Sequence, residues 1–531
     1  MMTTFYQSIL RMAFLLILML VSAIQAFAYD FEVDGIYYNI NGDNAYVTYK
    51  NNSYNSYSGN VTIPEFVNYN GITYAVTSIG GYAFRACTSL TSVNIPNSVT
   101  LIGDGAFTEC TSLNSLTIPN SVTVIRNNAF AKCTALTEIV IPNKLTTIES
   151  SVFQSCTSLT SVSIPNSITS IKSRAFSGCS SLTSIIVPNS VESISDDVFA
   201  ACTSLTNVTI PNSVNYLGAR AFNGCTSLKS IIIPNMVTKI QVNAFRNCTS
   251  LSNVTIPNSV TIIENGAFDG CTSLSDVSIP NSVTIIDGSA FYGCSGLTNV
   301  VIPNSVTSIG NNAFYGCTGL TTLSIGDLVT MAPPVTDIGN FAFCGCTGLT
   351  NLTIGNIVNA IYNGAFYGCT SLTSVFIPNS VTYLGNEVFY NCYNITHVTI
   401  GNSVYGIGSN AFMGCNLENV RCLAETPPNI SENAFSVTTY WDAKLYVPSK
   451  SVYRNVDEWG KRNWNKFVHI YSIGDVDGDN MVSISDVTEL ITYLLNGVTA
   501  TVNDVDGDGG VSIADVTSLI EYLLTGSWSH L

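Results

Sequence analysis

From Ile79 to Phe435 apolar and polar positions follow one pattern that repeats every 23 residues. One repeat runs from Leu90 to Cys110. Leu90, Val93 and Ile95 are apolar, with Ser92 and Asn94 between them, so Val93 and Ile95 share one face at strand period. Pro96 ends the strand, because it has no N–H to give a central ladder. Val99 and Ile102 turn inward on the way back, Gly103 allows a bend, and Phe107 and Cys110 close the coil. A period of this length means stacked coils, none of which can bury its apolar face alone. The pattern predicts a repeat solenoid in which each coil is a strand plus an irregular return segment. The stacked strands then form one parallel β-sheet.

Two columns mark the core. Cysteines recur at the 23-residue interval from Cys87 to Cys317; after six extra residues Cys346, Cys369, Cys392 and Cys415 resume it. Sixteen phenylalanines, Phe84 to Phe435, form the other column. Asparagines beside the repeat proline, such as Asn97 and Asn120, fit either amide ladders between coils or simple turn preference. The run Ile102-Gly103, Ala106-Phe107, Cys110-Thr111-Ser112-Leu113, Leu116, Ile118-Pro119-Asn120, Val122 resembles the BspA-type leucine-rich repeat. That resemblance implies a right-handed leucine-rich repeat solenoid with strands on its concave face. It also implies a bacterial surface protein, of a kind that in some cases binds host matrix proteins or other bacteria. It supplies no residue motif for a ligand.

The ends depart from the period. Residues 29–60 read as an N-terminal cap, with a β-hairpin signal at Asn41-Gly42 between Tyr37–Ile40 and Ala45–Tyr49. Residues 61–437 carry the solenoid. Residues 438–472, with Trp459, Trp464 and Phe467, read as the C-terminal cap that an open sheet edge requires.

The N-terminus reads as an export signal, so the chain is expected outside the cell. Arg11, the apolar run Met12 to Ile24 and Ala26-Phe27-Ala28 make residues 1–28 an expected signal peptide. The run is short of the roughly 20 residues a membrane span needs, and no later segment spans. Charged residues are only 10%, against roughly 25% in an average globular protein, so Ser, Thr and Asn cover the surface. The net charge is −16, without a basic stripe, which argues against nucleic acid. Seventeen cysteines in an exported chain suggest disulfides, but stacked side chains point in parallel and suit S–S geometry poorly. Reduced, buried thiols are expected.

From Phe467 onward there is no Lys or Arg, and two stretches, 475–486 and 504–515, place acids at loop positions 1, 3, 5 and 12. These are Asp475, Asp477, Asp479 and Asp486, then Asp504, Asp506, Asp508 and Asp515. A hard cation with six to eight oxygen ligands needs such a set. Met481 and Gly510 offer backbone carbonyls at position 7; Ser483 and Ser512 stand at position 9. Near-identical apolar runs, expected to be helical, follow both loops. The duplicated loop–helix over residues 473–531 resembles a type I dockerin. The resemblance implies a small α-helical, EF-hand-like domain, two Ca2+ ions and a cohesin-type protein as partner. Loop positions 10 and 11, which help select the cohesin, are Ile484-Ser485 and Ile513-Ala514.

His397, His469 and His530 sit in no zinc spacing or nucleophile motif, so no enzyme is expected. Three readings compete: a secreted recognition or adhesion protein displayed on a cohesin-bearing assembly, a structural spacer within it, or a glycan-binding accessory to polysaccharide degradation. Outward strand places are polar apart from Val140, Ile186, Ile232, Val301 and Phe376. They lack the aromatic platform usual in sugar sites. Late in the repeats the residue after the column phenylalanine becomes Tyr292, Tyr315, Cys344, Tyr367 and Tyr390. These rings either cover the edge of the core or form a contact stripe for a protein or glycan ligand.

Overall fold

A computed structural model describes residues 28–52, 54–326, 336–431, 433–448, 450–460, 464 and 466–469, and the positions 487, 490, 491, 516–520 and 523. The expected signal peptide therefore lies outside the described residues, apart from Ala28. The chain divides into two compact units, Met1–Ser213 and Val214–Leu531.

The first unit opens with β1 (Phe31–Val33), β2 (Ile36–Asn41) and β3 (Asn44–Thr48), a meander of antiparallel pairs. Asn41 pairs with Asn44, so Gly42 and Asp43 are the turn centre, one residue later than Asn41-Gly42. β4 (Gly59–Thr62) begins the strand side, pairing in parallel with Leu90–Asn94. β5 (Phe66–Tyr69) and β6 (Ile72–Ile79) form a second hairpin. Its turn residues Asn70 and Gly71 have φ of 54° and 81°, as a type I′ turn requires. β6 then pairs in parallel with β3 on one side and with Leu101–Ile102 on the other.

Coils bond to their neighbours along three sides, but among the described residues the strand side divides into separate parallel sheets of two to five strands rather than the one sheet expected. Strand pairs run in register, as Glu138 on Ser161 and Ser184 on Asn207. The return path has a ladder of its own: two-residue strands such as Thr147–Ile148, Ser170–Ile171 and Ser193–Ile194 pair in parallel. The third side links turns, with Phe84 N–H on the Ala106 carbonyl at 2.7 Å and Ala86 N–H on that of Thr108 at 2.8 Å. These bonds hold a left-handed residue just before the ladder cysteine: Ala86, Glu109, Lys132 and Ser155 have φ of 55–66°. Such a conformation costs an L-residue roughly 1–2 kcal/mol, offset by the bonds that coil stacking supplies. At Gly103 the expected bend is instead a close approach: a Cβ there would lie 2.5 Å from Gly81 N.

The second unit repeats this plan. Its return ladder runs through nine parallel strands from Lys239–Ile240 to Asn429–Ile430. Across the six-residue insertion the core columns resume: Phe314 stacks on Phe343 at 5.1 Å. Consecutive rings from Phe222 to Phe435 lie 4.9–5.5 Å apart and within 14° of parallel.

All seventeen cysteines are free and buried. Size alone does not explain the column. In the ladder beyond Cys87, thiols donate to the carbonyl of the column phenylalanine one coil back: Cys133 to Phe107 at 3.2 Å, Cys271 to Phe245 at 3.1 Å, Cys346 to Phe314 at 3.3 Å. The Phe245 carbonyl also accepts the Cys248 N–H at 3.1 Å. A position that must be small, apolar and a weak donor favours Cys over Val or Ala. Burial pushes the Cys156, Cys202 and Cys248 thiols up to about 12.

Rings seal both ends of the phenylalanine columns. Tyr57 lies 4.5 Å above Phe84; its hydroxyl takes the Tyr37 N–H at 3.2 Å and donates to the Thr48 carbonyl. Below Phe435 lie Trp464 at 5.6 Å and Trp459 at 6.1 Å. Trp459 is fully buried and its Nε1 donates to the Pro428 carbonyl at 2.7 Å. Lys444–Val447 and Lys466–His469 extend the strand ladder in parallel beyond Asn419–Cys422. Cys422 stands in register with Ile400, facing inward as its frame position requires.

Candidate functional site

The tyrosine stripe is built by the repeat backbone. The carbonyls of Tyr292, Tyr315, Tyr367 and Tyr390 each accept the N–H of the preceding coil's left-handed glycine, at 2.7–2.8 Å. That fixes one Cα per coil. The rings then stack in two pairs, Tyr292 on Tyr315 at 4.9 Å and Tyr367 on Tyr390 at 5.0 Å. Cys344 occupies the same column between them. It is 7% exposed, and burial raises its thiol to about 11. The Cys344 thiol beside Tyr315 raises that phenol in turn. Tyr292 is 39% exposed, so the stripe combines packing with an accessible edge.

The strand face carries isolated apolar side chains. Val140, Ile186 and Ile232 are exposed, yet each pairs in the next coil with a serine or threonine: Ser163, Thr209 and Thr255. Single exposed apolar residues are ordinary on a soluble protein. His397 sits on this face, bridged by Thr396 and Asn419 at 2.8 Å each.

Sequence reasoning missed a groove on the return side of the second unit. It is lined by Asp287, Asn311, Asp337, Asn340 and Tyr362 among others, with a volume of about 530 Å³. Tyr362 Oη lies 3.4 Å from an Asp337 oxygen, and that carboxylate raises the phenol. The available signal was Gly310 and Gly339, glycines in a column that earlier coils fill with Arg126, Glu149 and Lys172.

The tail ligands Asp475, Asp477, Asp479, Met481, Ser483, Asp486, Asp504, Asp506, Asp508, Gly510, Ser512 and Asp515 lie outside the described residues. So do the selector positions Ile484, Ser485, Ile513 and Ala514. Among the described residues after them, Val487, Leu490 and Ile491 are helical, as is the run 516–520. Leu490 and Leu519 are fully buried while Ile491 and Ile520 are 41% exposed. This is the one-sided burial of short amphipathic helices. No described helix is long and apolar enough to cross a membrane.

The BspA type leucine rich repeat region matches residues 65–182, 146–274, 192–321 and 327–441, more than half of the chain. The chain belongs to this repeat family. A Dockerin type I domain matches residues 473–524. Among solved structures, a leucine-rich repeat protein from Bacteroides ovatus is 31% identical, with a TM-score of 0.60. The match covers 76% of this chain and 99% of that one. A leucine rich cell surface protein from Faecalibacterium prausnitzii is 28% identical over 74% of this chain and 94% of its own, with a TM-score of 0.39. The T. pallidum leucine rich repeat protein is 33% identical over 38% of this chain and 90% of its own, with a TM-score of 0.34. No curated protein matches. The BspA-type protein is thus a repeat solenoid joined to a dockerin. Leucine-rich repeat proteins are in general non-enzymatic, and type I dockerins bind calcium and a cohesin.

Proposed function

We propose that this is a secreted, non-catalytic recognition and adhesion protein, held on a cohesin-bearing extracellular assembly by its calcium-dependent dockerin. The observation that carries the reading is the Dockerin type I match over two loops with acids at positions 1, 3, 5 and 12. Four carboxylates in one short loop repel one another unless a cation joins them. The donor set is all oxygen, as Ca2+ prefers. Asp475, Asp477, Asp479 and Asp486 would hold one ion and Asp504, Asp506, Asp508 and Asp515 the other. The Met481 and Gly510 carbonyls complete the sets, with Ser483 and Ser512 adding a hydroxyl or a bridging water. Calcium supplies the charge that lets the loops close and the following helices dock. Ile484-Ser485 and Ile513-Ala514 would meet the cohesin.

The solenoid is the recognition element in this reading. Its tyrosine stripe joins apolar ring faces to polar tips, as interface residues often do, and is our candidate surface for a host-matrix or bacterial-surface protein. Titration calorimetry of the full chain against a type I cohesin tests the attachment. Binding in calcium should vanish with EDTA and in the Asp475→Ala/Asp504→Ala variant. Unchanged binding in EDTA would refute calcium-dependent docking.

A further inference from the structure

In the second unit the residue after each return strand forms a column, and four successive members are Asp287, Gly310, Gly339 and Tyr362. Two consecutive glycines leave two coils, roughly 10 Å of stack at strand spacing, without a side chain. The gap is enforced. A Cβ at Gly310 would lie 2.4 Å from Gly288 N, and one at Gly339 2.7 Å from the Gly310 carbonyl carbon. Backbone therefore floors a trough with Asp287 at one end and the half-exposed Tyr362 ring at the other.

Polar groups run along both rims. On one, Asn311 Oδ1 receives the Asn340 N–H at 2.8 Å and its Nδ2 at 3.1 Å, which aligns the two amides. On the other, the Asp337 carboxylate lies between Tyr362 Oη at 3.4 Å and Asn359 Nδ2 at 3.5 Å. The volume of about 530 Å³ falls within the roughly 300–1,000 Å³ typical of small-molecule sites.

We propose that this trough is a saccharide site that takes a neutral hexose unit of a polysaccharide. Vicinal hydroxyls are donors and acceptors at once. Carboxylates at Asp287 and Asp337 accept from them, and the asparagine amides both donate and accept. The apolar C–H face of a pyranose matches the Tyr362 ring, which joins an apolar body to a polar tip. Charge narrows the class: no Lys or Arg lines the trough, and two carboxylates do, so an acidic polymer meets repulsion. The site is independent of the dockerin.

Affinity electrophoresis of the full chain tests this, in native gels containing a β-glucan, a mannan, a galactan or, as the acidic comparison, polygalacturonate. At least one neutral polymer should retard the protein and polygalacturonate should not. Tyr362→Ala should weaken the retardation at least tenfold, and Tyr362→Phe less than threefold. If Tyr362→Ala unfolds, as its thermal midpoint would reveal, the exposed Asp287→Ala decides, with an expected loss of at least threefold. Retardation by no neutral polymer, by polygalacturonate alone, or to the same extent in these variants overturns the proposal. Cohesin binding measured in parallel separates this result from a failure of dockerin attachment.

Discussion

Replacing Phe268 with alanine tests the idea that the stacked rings hold neighbouring coils together. Phe268 is fully buried, with Phe245 at 5.4 Å on one face and Phe291 at 5.2 Å on the other, within 12° of parallel. Truncating a buried phenylalanine costs about 3–5 kcal/mol. The site should fall at the upper end, because it cannot collapse. Backbone bonds fix the neighbours: Phe245 N–H to the Ala267 carbonyl at 2.8 Å and Phe268 N–H to that of Ala290 at 2.7 Å. The two lost ring–ring contacts, each worth roughly 0.5–1.5 kcal/mol beyond area, are part of that cost. The expected loss is about 4–5 kcal/mol. In a repeat array that energy is a nearest-neighbour term, so the substitution should also uncouple the coils on either side. Urea unfolding followed by circular dichroism should show a lower midpoint and a smaller m-value or a second transition. Phe268→Leu, which refills most of the space, should recover over half of the loss. A loss below about 1.5 kcal/mol with unchanged m would refute the reasoning.

Alkali should weaken the fold above pH 9. The Cys156 thiol is raised from 9.0 to about 12 by burial, so the unfolded chain ionises first. The stabilisation is complete below pH 9 and is lost up to pH 12, at roughly 1.4 kcal/mol per pH unit for each such thiol. Cys156→Ala should lose less stability than the parent between pH 8 and 10.5; identical pH profiles would count against a buried neutral thiol. At Gly71, with φ of 81° and nothing within 4 Å of a new Cβ, alanine should cost roughly 1–2 kcal/mol purely through backbone conformation, and a neutral effect in denaturant titration would remove the type I′ assignment. Replacing Tyr292, Tyr315, Tyr367 and Tyr390 together with serine should abolish capture of a protein ligand recovered on the immobilised chain, whereas lowered stability with unchanged capture would make the stripe packing alone.

What could be read beforehand was whatever depends on hydropathy and period. The inward places of Leu90, Val93, Ile95, Phe107 and Cys110, and the inward turn of Cys422, follow from side-chain alternation and the repeat frame. The left-handed columns were hidden because Ala86, Glu109 and Lys132 carry no signature of positive φ. They are held there by bonds to the next coil, which no single repeat contains. The thiol–carbonyl bonds were hidden for the same reason, since Cys271 and Phe245 meet only when coils stack. The Asn70-Gly71 turn was legible but stands inside the first coil, where the repeat pattern masks it. The trough needed Gly310 and Gly339 to be aligned across an insertion that breaks the count. The dockerin acids could be proposed as a ligand set from spacing, and they lie outside the described residues.

The register of the columns also bears on how such a chain changes its length. Cys271 reaches back 26 residues to Phe245 and Cys248 reaches back the same distance to Phe222, so coils within an uninterrupted run present equivalent surfaces to one another. Excising 23 consecutive residues within such a run would join two surfaces that already fit, and duplicating them would do the same. Unequal recombination between near-identical coding segments could therefore lengthen or shorten the protein by whole coils, each step about 4.8 Å, while both sealed ends stay unchanged. The six-residue insertion marks the other mode of change, since the core columns close up across it: Phe314 stacks on Phe343 and Cys346 bonds back to Phe314.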